Sequence, residues 1–137
     1  MTTSAVVQPA RWARNAGRVG LVLAAIMSTF NVINGVGSLI DPRFGQTDPS
    51  LAPQPVAISI ALVVFGGLTL AAIVPAWRGH RGALWTVVVT RLAEGWSALL
   101  LPFLPGAPDG ILAFAILLVI AGTFVAGLVA LGLRRAA

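Results

Sequence analysis

The chain has no cysteine, so disulfides, thiol chemistry and thiolate-bound metals are excluded at the outset. It has no lysine either, and the formal net charge of +5 comes from arginine alone, set against four acidic residues. Charged residues make up only 9% of the 137 positions and 58% are hydrophobic, whereas soluble domains carry about a quarter charged residues. A water-soluble fold of this composition would expose apolar patches that soluble monomers rarely tolerate. The arginines form small clusters between apolar runs rather than one basic face, which argues against nucleic acid as a partner. Catalytic and cofactor signatures are also missing. His80 stands between Arg78 and Arg81 without a second histidine or a carboxylate at ligand spacing, and the serines lack a partner base. No HExxH, Walker or dinucleotide-binding pattern occurs. The sequence therefore predicts no enzyme, no metal site and no cofactor.

What the chain has in abundance is apolar length. Four stretches, 19–40, 56–77, 83–104 and 110–133, each come close to the roughly 20 residues a helix needs to cross about 30 Å of hydrocarbon. Strands are excluded because an isolated strand leaves its backbone unpaired in lipid, and the alternation of a closed barrel is absent. The expected fold is all-α, a four-span transmembrane bundle formed by residues 19–137 and preceded by a basic arm, residues 1–18. Gly35, Val36 and Gly37 loosely resemble a signal-peptidase site, but the apolar run before them exceeds the 7 to 15 residues typical of a leader and contains Asn31 and Asn34. It reads as a span.

The flanking charges sort by side. Arg11, Arg14 and Arg18, then Arg78 and Arg81, then Arg134 and Arg135 fall on one side, while Asp41, Arg43, Asp48 and Asp109 fall on the other. The positive-inside bias makes the arginine side cytoplasmic, with both termini there. Trp12, Trp77 and Trp85 lie near the same boundary, where indoles favour the headgroup level. Pro9 is placed to start a helix that carries Arg11, Arg14 and Arg18 at helical spacing. These arginines, with Arg78, Arg81, Arg134 and Arg135, are expected to meet anionic lipid headgroups, or to serve only as a topology signal. The short connections after the second and third spans make their neighbours antiparallel, and an up-down-up-down bundle is the simplest packing. The first loop, 41–55, is rich in proline and reads as an ordered or semi-extended cap.

Arg91 and Glu94 interrupt the third span three residues apart, within reach of each other on a helix. An arginine at a span centre costs about 2.5 to 3.5 kcal/mol on insertion scales, and the leucines, valines and phenylalanine of the span return roughly 3 to 6 kcal/mol. Such a helix inserts only marginally unless its charges are paired and shielded. Thr86, Thr90, Arg91, Glu94 and Ser97 share one side of the third helix; Trp85, Val88, Val89, Leu92, Trp96, Leu99 and Phe103 share the other. Ser28, Asn31, Asn34, Gly35 and Ser38 form a matching stripe on the first, with Thr69 and Thr123 at similar depth in the remaining two. The expectation is a central polar layer of Arg91, Glu94, Asn31, Asn34, Thr90, Ser97, Thr69 and Thr123. It reads either as a site for a proton, an ion or a small solute, or as a neutralised pair that fixes helix register.

Gly122, Ala126 and Ala130 repeat every four residues, a spacing that lets helix backbones approach, within the chain or in a homo-oligomer. Sliding the chain by sixty residues lays Arg18 on Arg78, Gly35 on Gly95, Leu39 on Leu99, Pro42 on Pro102, Gly67 on Gly127 and Leu68 on Leu128. This is the pattern of two parallel helix pairs, although matches this sparse also arise by chance among apolar sequences. In size and topology the chain resembles the uncharacterised small four-helix inner-membrane proteins of GC-rich bacteria, and its wealth of arginine, alanine, glycine and proline agrees. The resemblance implies a multi-pass protein of a bacterial cytoplasmic membrane. Small multidrug exporters place their essential glutamate in the first helix, where this chain has Asn31 and Asn34, and the glycine-rich arginine motif of fluoride channels is absent. Two functions are thus left standing: a non-enzymatic bundle or accessory subunit with a membrane-protein partner, and a small transporter or channel. With no native cysteine to interfere, Gln46→Cys is expected to react with a membrane-impermeant thiol reagent in intact cells and His80→Cys only after permeabilisation; the opposite pattern reverses the orientation.

Overall fold

The structure, a computed structural model, describes residues 9–133; residues 1–8 of the basic arm, Arg134 and Arg135 lie outside the described residues. The described residues form four helices, α1 (Pro9–Ile40), α2 (Val56–Trp77), α3 (Arg81–Ser97) and α4 (Ile111–Leu133), and no strand. α3 continues as a 3-10 turn, Ala98–Phe103, so all four segments are long and apolar enough to cross a membrane. The structure thus has the all-helical, four-segment character that the apolar runs predict. α1 has 32 residues, about 48 Å at 1.5 Å per residue, well beyond the hydrocarbon thickness. Arm and span are one continuous helix from Pro9 onward, as the placing of Pro9 before Arg11, Arg14 and Arg18 predicts.

The third span departs from a single α-helix for a local reason. Pro102 has no N–H to donate, and its ring would press on the carbonyl four residues back, so the tighter turn takes over after Ser97. The first loop is ordered by short-range polar contacts. Arg43 donates to the Pro49 carbonyl at 3.0 Å, Gln46 to the Ala52 carbonyl at 2.9 Å, and the Gln54 N–H to the Pro42 carbonyl at 2.9 Å. The Ser50 hydroxyl and N–H both donate to Asp48, and these bonds hold its carboxyl below the usual carboxylate range.

Around the bundle, α1 packs against α2 and α4, and α3 against α2 and α4, while the diagonal pair α1 and α3 barely touches. Small residues set the spacing of these seams. A Cβ on Gly20 would come within 2.8 Å of the Val129 backbone, and one on Gly122 within 2.9 Å of the Arg91 carbonyl oxygen. Gly35 faces Ser59 and Leu62 of α2, and Gly95 faces Val119 and Gly122 of α4. The shift of sixty residues carries the first contact onto the second, so the two helix pairs share a seam register as well as scattered identities. The apolar core clusters toward the arginine-flanked end, with Leu21, Ala24, Leu84, Val87 and Val129 buried together.

Of the face of α3 expected to meet lipid, Trp85, Val89, Trp96 and Phe103 are more than half exposed, but Val88 is 5% exposed and belongs to the core. A helical face is broader than its midline, and Val88 sits where α3 turns inward beside Val87. Gly122→Val is expected to destabilise the bundle by about 1 to 3 kcal/mol through overpacking. Gly127→Ala, which meets nothing within 4 Å, is expected to be neutral or mildly stabilising, and thermal denaturation in detergent measures both.

Candidate functional site

Residues 87, 90, 91 and 94 fall on one face of α3 because a helix repeats every 3.6 residues, and that face is the one turned into the bundle. Arg91 is 1% exposed, the largest side chain so completely enclosed, while Val87 beside it is 0% exposed. Its Nη2 pairs with the Glu94 carboxylate, the only salt bridge among the described residues, and donates to the Thr69 hydroxyl of α2 at 3.4 Å. From α1, the Asn31 side-chain amide donates to Glu94 Oε1 at 2.6 Å. The hydroxyls of Thr69 and Thr90 lie 2.7 Å apart, each also within 2.8 Å of a carbonyl of its own helix, that of Phe65 or Thr86. Thr90 also reaches the Val87 carbonyl oxygen at 3.2 Å, and of the two hydroxyl protons one serves the link between helices. A single polar knot therefore ties α1, α2 and α3 across the bundle.

The geometry explains why the pair is tolerated. A lone charge in an apolar interior carries a desolvation penalty of several kcal/mol, which pairing and neighbouring hydrogen bonds offset only when the geometry is close. Here both conditions hold except at Arg91 Nε, which has no acceptor. Both side chains point away from the outer surface of the bundle, as the insertion energetics demand.

Five of the eight residues expected in the polar layer, Asn31, Thr69, Thr90, Arg91 and Glu94, form this knot. The other three stand apart. Ser97 is exposed and its hydroxyl donates back to the Glu94 carbonyl oxygen at 2.9 Å, the usual habit of a serine near a helix end. Thr123 is exposed on the outer face of α4, since depth along a helix says nothing about which way a residue points. Asn34 makes no hydrogen bond to the ion pair and instead lines a cleft with Asn31. Gly122 and Ala126 are buried in seams within the chain, and Ala130 packs partly buried against the core, so this stripe is used for packing inside the bundle.

The cleft, about 370 Å³ in volume, opens between the two loops at the end carrying Asp41, Asp48 and Asp109. Gln46 and Gln54 line it above, Leu62 and Leu118 form apolar walls, and Asn31 and Asn34 contribute its amides within the helices. Glu94 is not part of the lining: Asn31 stands between the cleft and the ion pair. Gln46 and Gln54 carry no separate signal in the sequence, because both lie in the loop and reach the cleft only through its folded cap. Comparison with known families, characterised proteins and solved structures gives no match.

Removing one partner alone, by Arg91→Met or Glu94→Leu, is expected to destabilise the bundle by about 3 to 5 kcal/mol, because the other charge is left buried and unpaired. The double substitution is expected to recover most of that loss, and unfolding in mixed detergent measures all three variants. Additive losses would show that the two charges do not act as a pair.

Proposed function

We propose that the chain is a multi-pass protein of a bacterial cytoplasmic membrane, arranged up-down-up-down with both termini in the cytoplasm, that binds a small uncharged polar solute in the cleft on the opposite side. Neighbour contacts support the alternating arrangement: Gly17 meets Gly132 and Gly20 meets Val129, a seam in which numbers rise on α1 as they fall on α4. Gly35 against Ser59 and Gly66 against Ser28 run the same way between α1 and α2. The apolar segments and the one-sided distribution of arginine support insertion and orientation.

One observation carries the functional reading: a cleft of about 370 Å³ descends from the loop cap to Asn31, the residue whose amide is bonded to the buried Glu94. Concave, mostly apolar sites with a few convergent polar groups are where proteins hold small molecules. Its four carboxamides offer donors and acceptors without net charge, and the acid behind them is neutralised by Arg91. That chemistry favours a neutral solute with hydrogen-bonding groups over an ion. Below the cleft the Arg91–Glu94 pair and the core around Leu21, Ala24 and Val129 form a closed barrier, the resting state of a small transporter or channel.

A second reading, a non-enzymatic bundle or accessory subunit in which the ion pair only fixes register, is favoured by the enclosure of Arg91 at 1% exposure. The two differ in how wet the cleft is and in what the pair does. Asn34→Cys is expected to react with a membrane-impermeant thiol reagent added from the loop side, while Ser28→Cys, at a position 0% exposed, stays unreactive. Thermal stabilisation by uncharged amides or polyols is expected to vanish in Asn34→Leu. An unreactive Asn34→Cys together with no stabilising solute would leave the accessory-subunit reading in place.

A further inference from the structure

The opposite end of the bundle holds a second cavity, about 260 Å³, lined by Arg14 and Arg18 of α1, by Trp77 and Arg78 at the end of α2, and floored by Leu21 and Leu84. Arg14 and Arg18 are four residues apart and so share a helical face. The Arg18 guanidinium lies 5.4 Å from the centre of the Trp77 ring, within cation–π range, which restrains it at the rim. None of these three arginines forms a salt bridge among the described residues. Of the four acidic residues in the chain, Asp41, Asp48 and Asp109 lie in the loops at the far end and Glu94 is already paired with Arg91. Among the described residues, three permanent positive charges therefore surround one concave site without a side-chain carboxylate to neutralise them.

We propose that this pocket binds the phosphate of an anionic phospholipid. Guanidinium groups match phosphate oxygens in paired, planar hydrogen bonds, which suits three arginines around a small volume. A membrane lipid is the source that fits the surroundings. Trp77 of the lining and Val19, Val22 and Val74, within four residues of lining positions on α1 and α2, are each about half exposed, giving acyl chains an apolar flank to run along while the headgroup enters between the two helices. This assignment is independent of the solute cleft, which lies at the other end.

The test uses the full chain, delipidated in a neutral detergent and titrated with dioctanoyl phosphatidylglycerol, with Trp77 beneath Arg18 contributing to the fluorescence readout. Saturable binding is expected, with dioctanoyl phosphatidylcholine and inorganic phosphate far weaker. Arg18→Gln and Arg78→Gln are each expected to weaken binding by about tenfold or more, the scale of losing a charged hydrogen-bonding partner. Arg11→Gln and Arg81→Gln remove the same charge from the same end outside the pocket and are expected to change binding less than about twofold. Equal losses in all four variants would overturn the proposal in favour of diffuse attraction to a basic surface. Inorganic phosphate binding as tightly as the lipid would overturn it in favour of a soluble anion. For any variant that does not stay monodisperse, lipid retained by the wild-type chain from an equal mixture of the two phospholipids decides instead, with anionic enrichment expected and its absence contradicting the site.

Discussion

An arginine and a glutamate enclosed together in an apolar bundle impose more on this molecule than any other contact. Neither is tolerated alone in hydrocarbon, and the helix that carries them inserts only marginally by itself. Shielding must come from the other helices, and the structure provides it by direct bonds: Asn31 from α1 to Glu94, Thr69 from α2 to Arg91 and Thr90. α4 contributes differently. It brings Gly122 against the Arg91 backbone, so the helix bearing the charge is held close enough for the pair to be covered. Small residues at the seams and polar residues at the centre are thus two parts of one constraint, close approach where the charge needs enclosure.

That constraint also orders the two ends. The apolar core gathers on the arginine-flanked side of the knot, while on the loop side α2 and α4 leave a cleft capped by the first loop. Asn31 belongs to both, since it lines the cleft and bonds the buried acid. Any solute that displaced the Asn31 amide from Glu94 would expose a charge pair to the cleft, so occupancy and the integrity of the knot are energetically coupled through one side chain.

Much of this was legible in the residues, and the limits have physical causes. Helix positions followed from apolar length, so 56–77 coincides with α2 and 110–133 differs from α4 by one residue. The Arg91–Glu94 pairing and its link to Asn31 followed from spacing on a helix and from the cost of charge in lipid. Thr123 was misplaced because depth was used where direction around the helix decides, whereas Ser97, placed by direction, is the last residue of α3 and its hydroxyl turns back to the Glu94 carbonyl oxygen. The third span, 83–104, ends within one residue of the structure's third segment, but its last turns are 3-10 rather than α because Pro102 has no N–H to donate, a change of helix type that apolar length does not encode. The cleft was out of reach altogether: its upper lining comes from a loop whose fold depends on backbone contacts such as Gln54 to Pro42, which no periodicity encodes.

The claim beneath all of this is that the guanidinium of Arg91 and the carboxylate of Glu94 touch, and that Asn31 touches the same carboxylate, when the chain is in a bilayer. Magic-angle-spinning NMR of the isotopically labelled protein in lipid reports it directly through dipolar couplings between the Arg91 side-chain nitrogens, the Glu94 carboxyl carbon and the Asn31 amide nitrogen. Strong couplings for both pairs are predicted. Absent couplings, with Arg91 side-chain signals instead correlating to lipid acyl protons, would contradict the account.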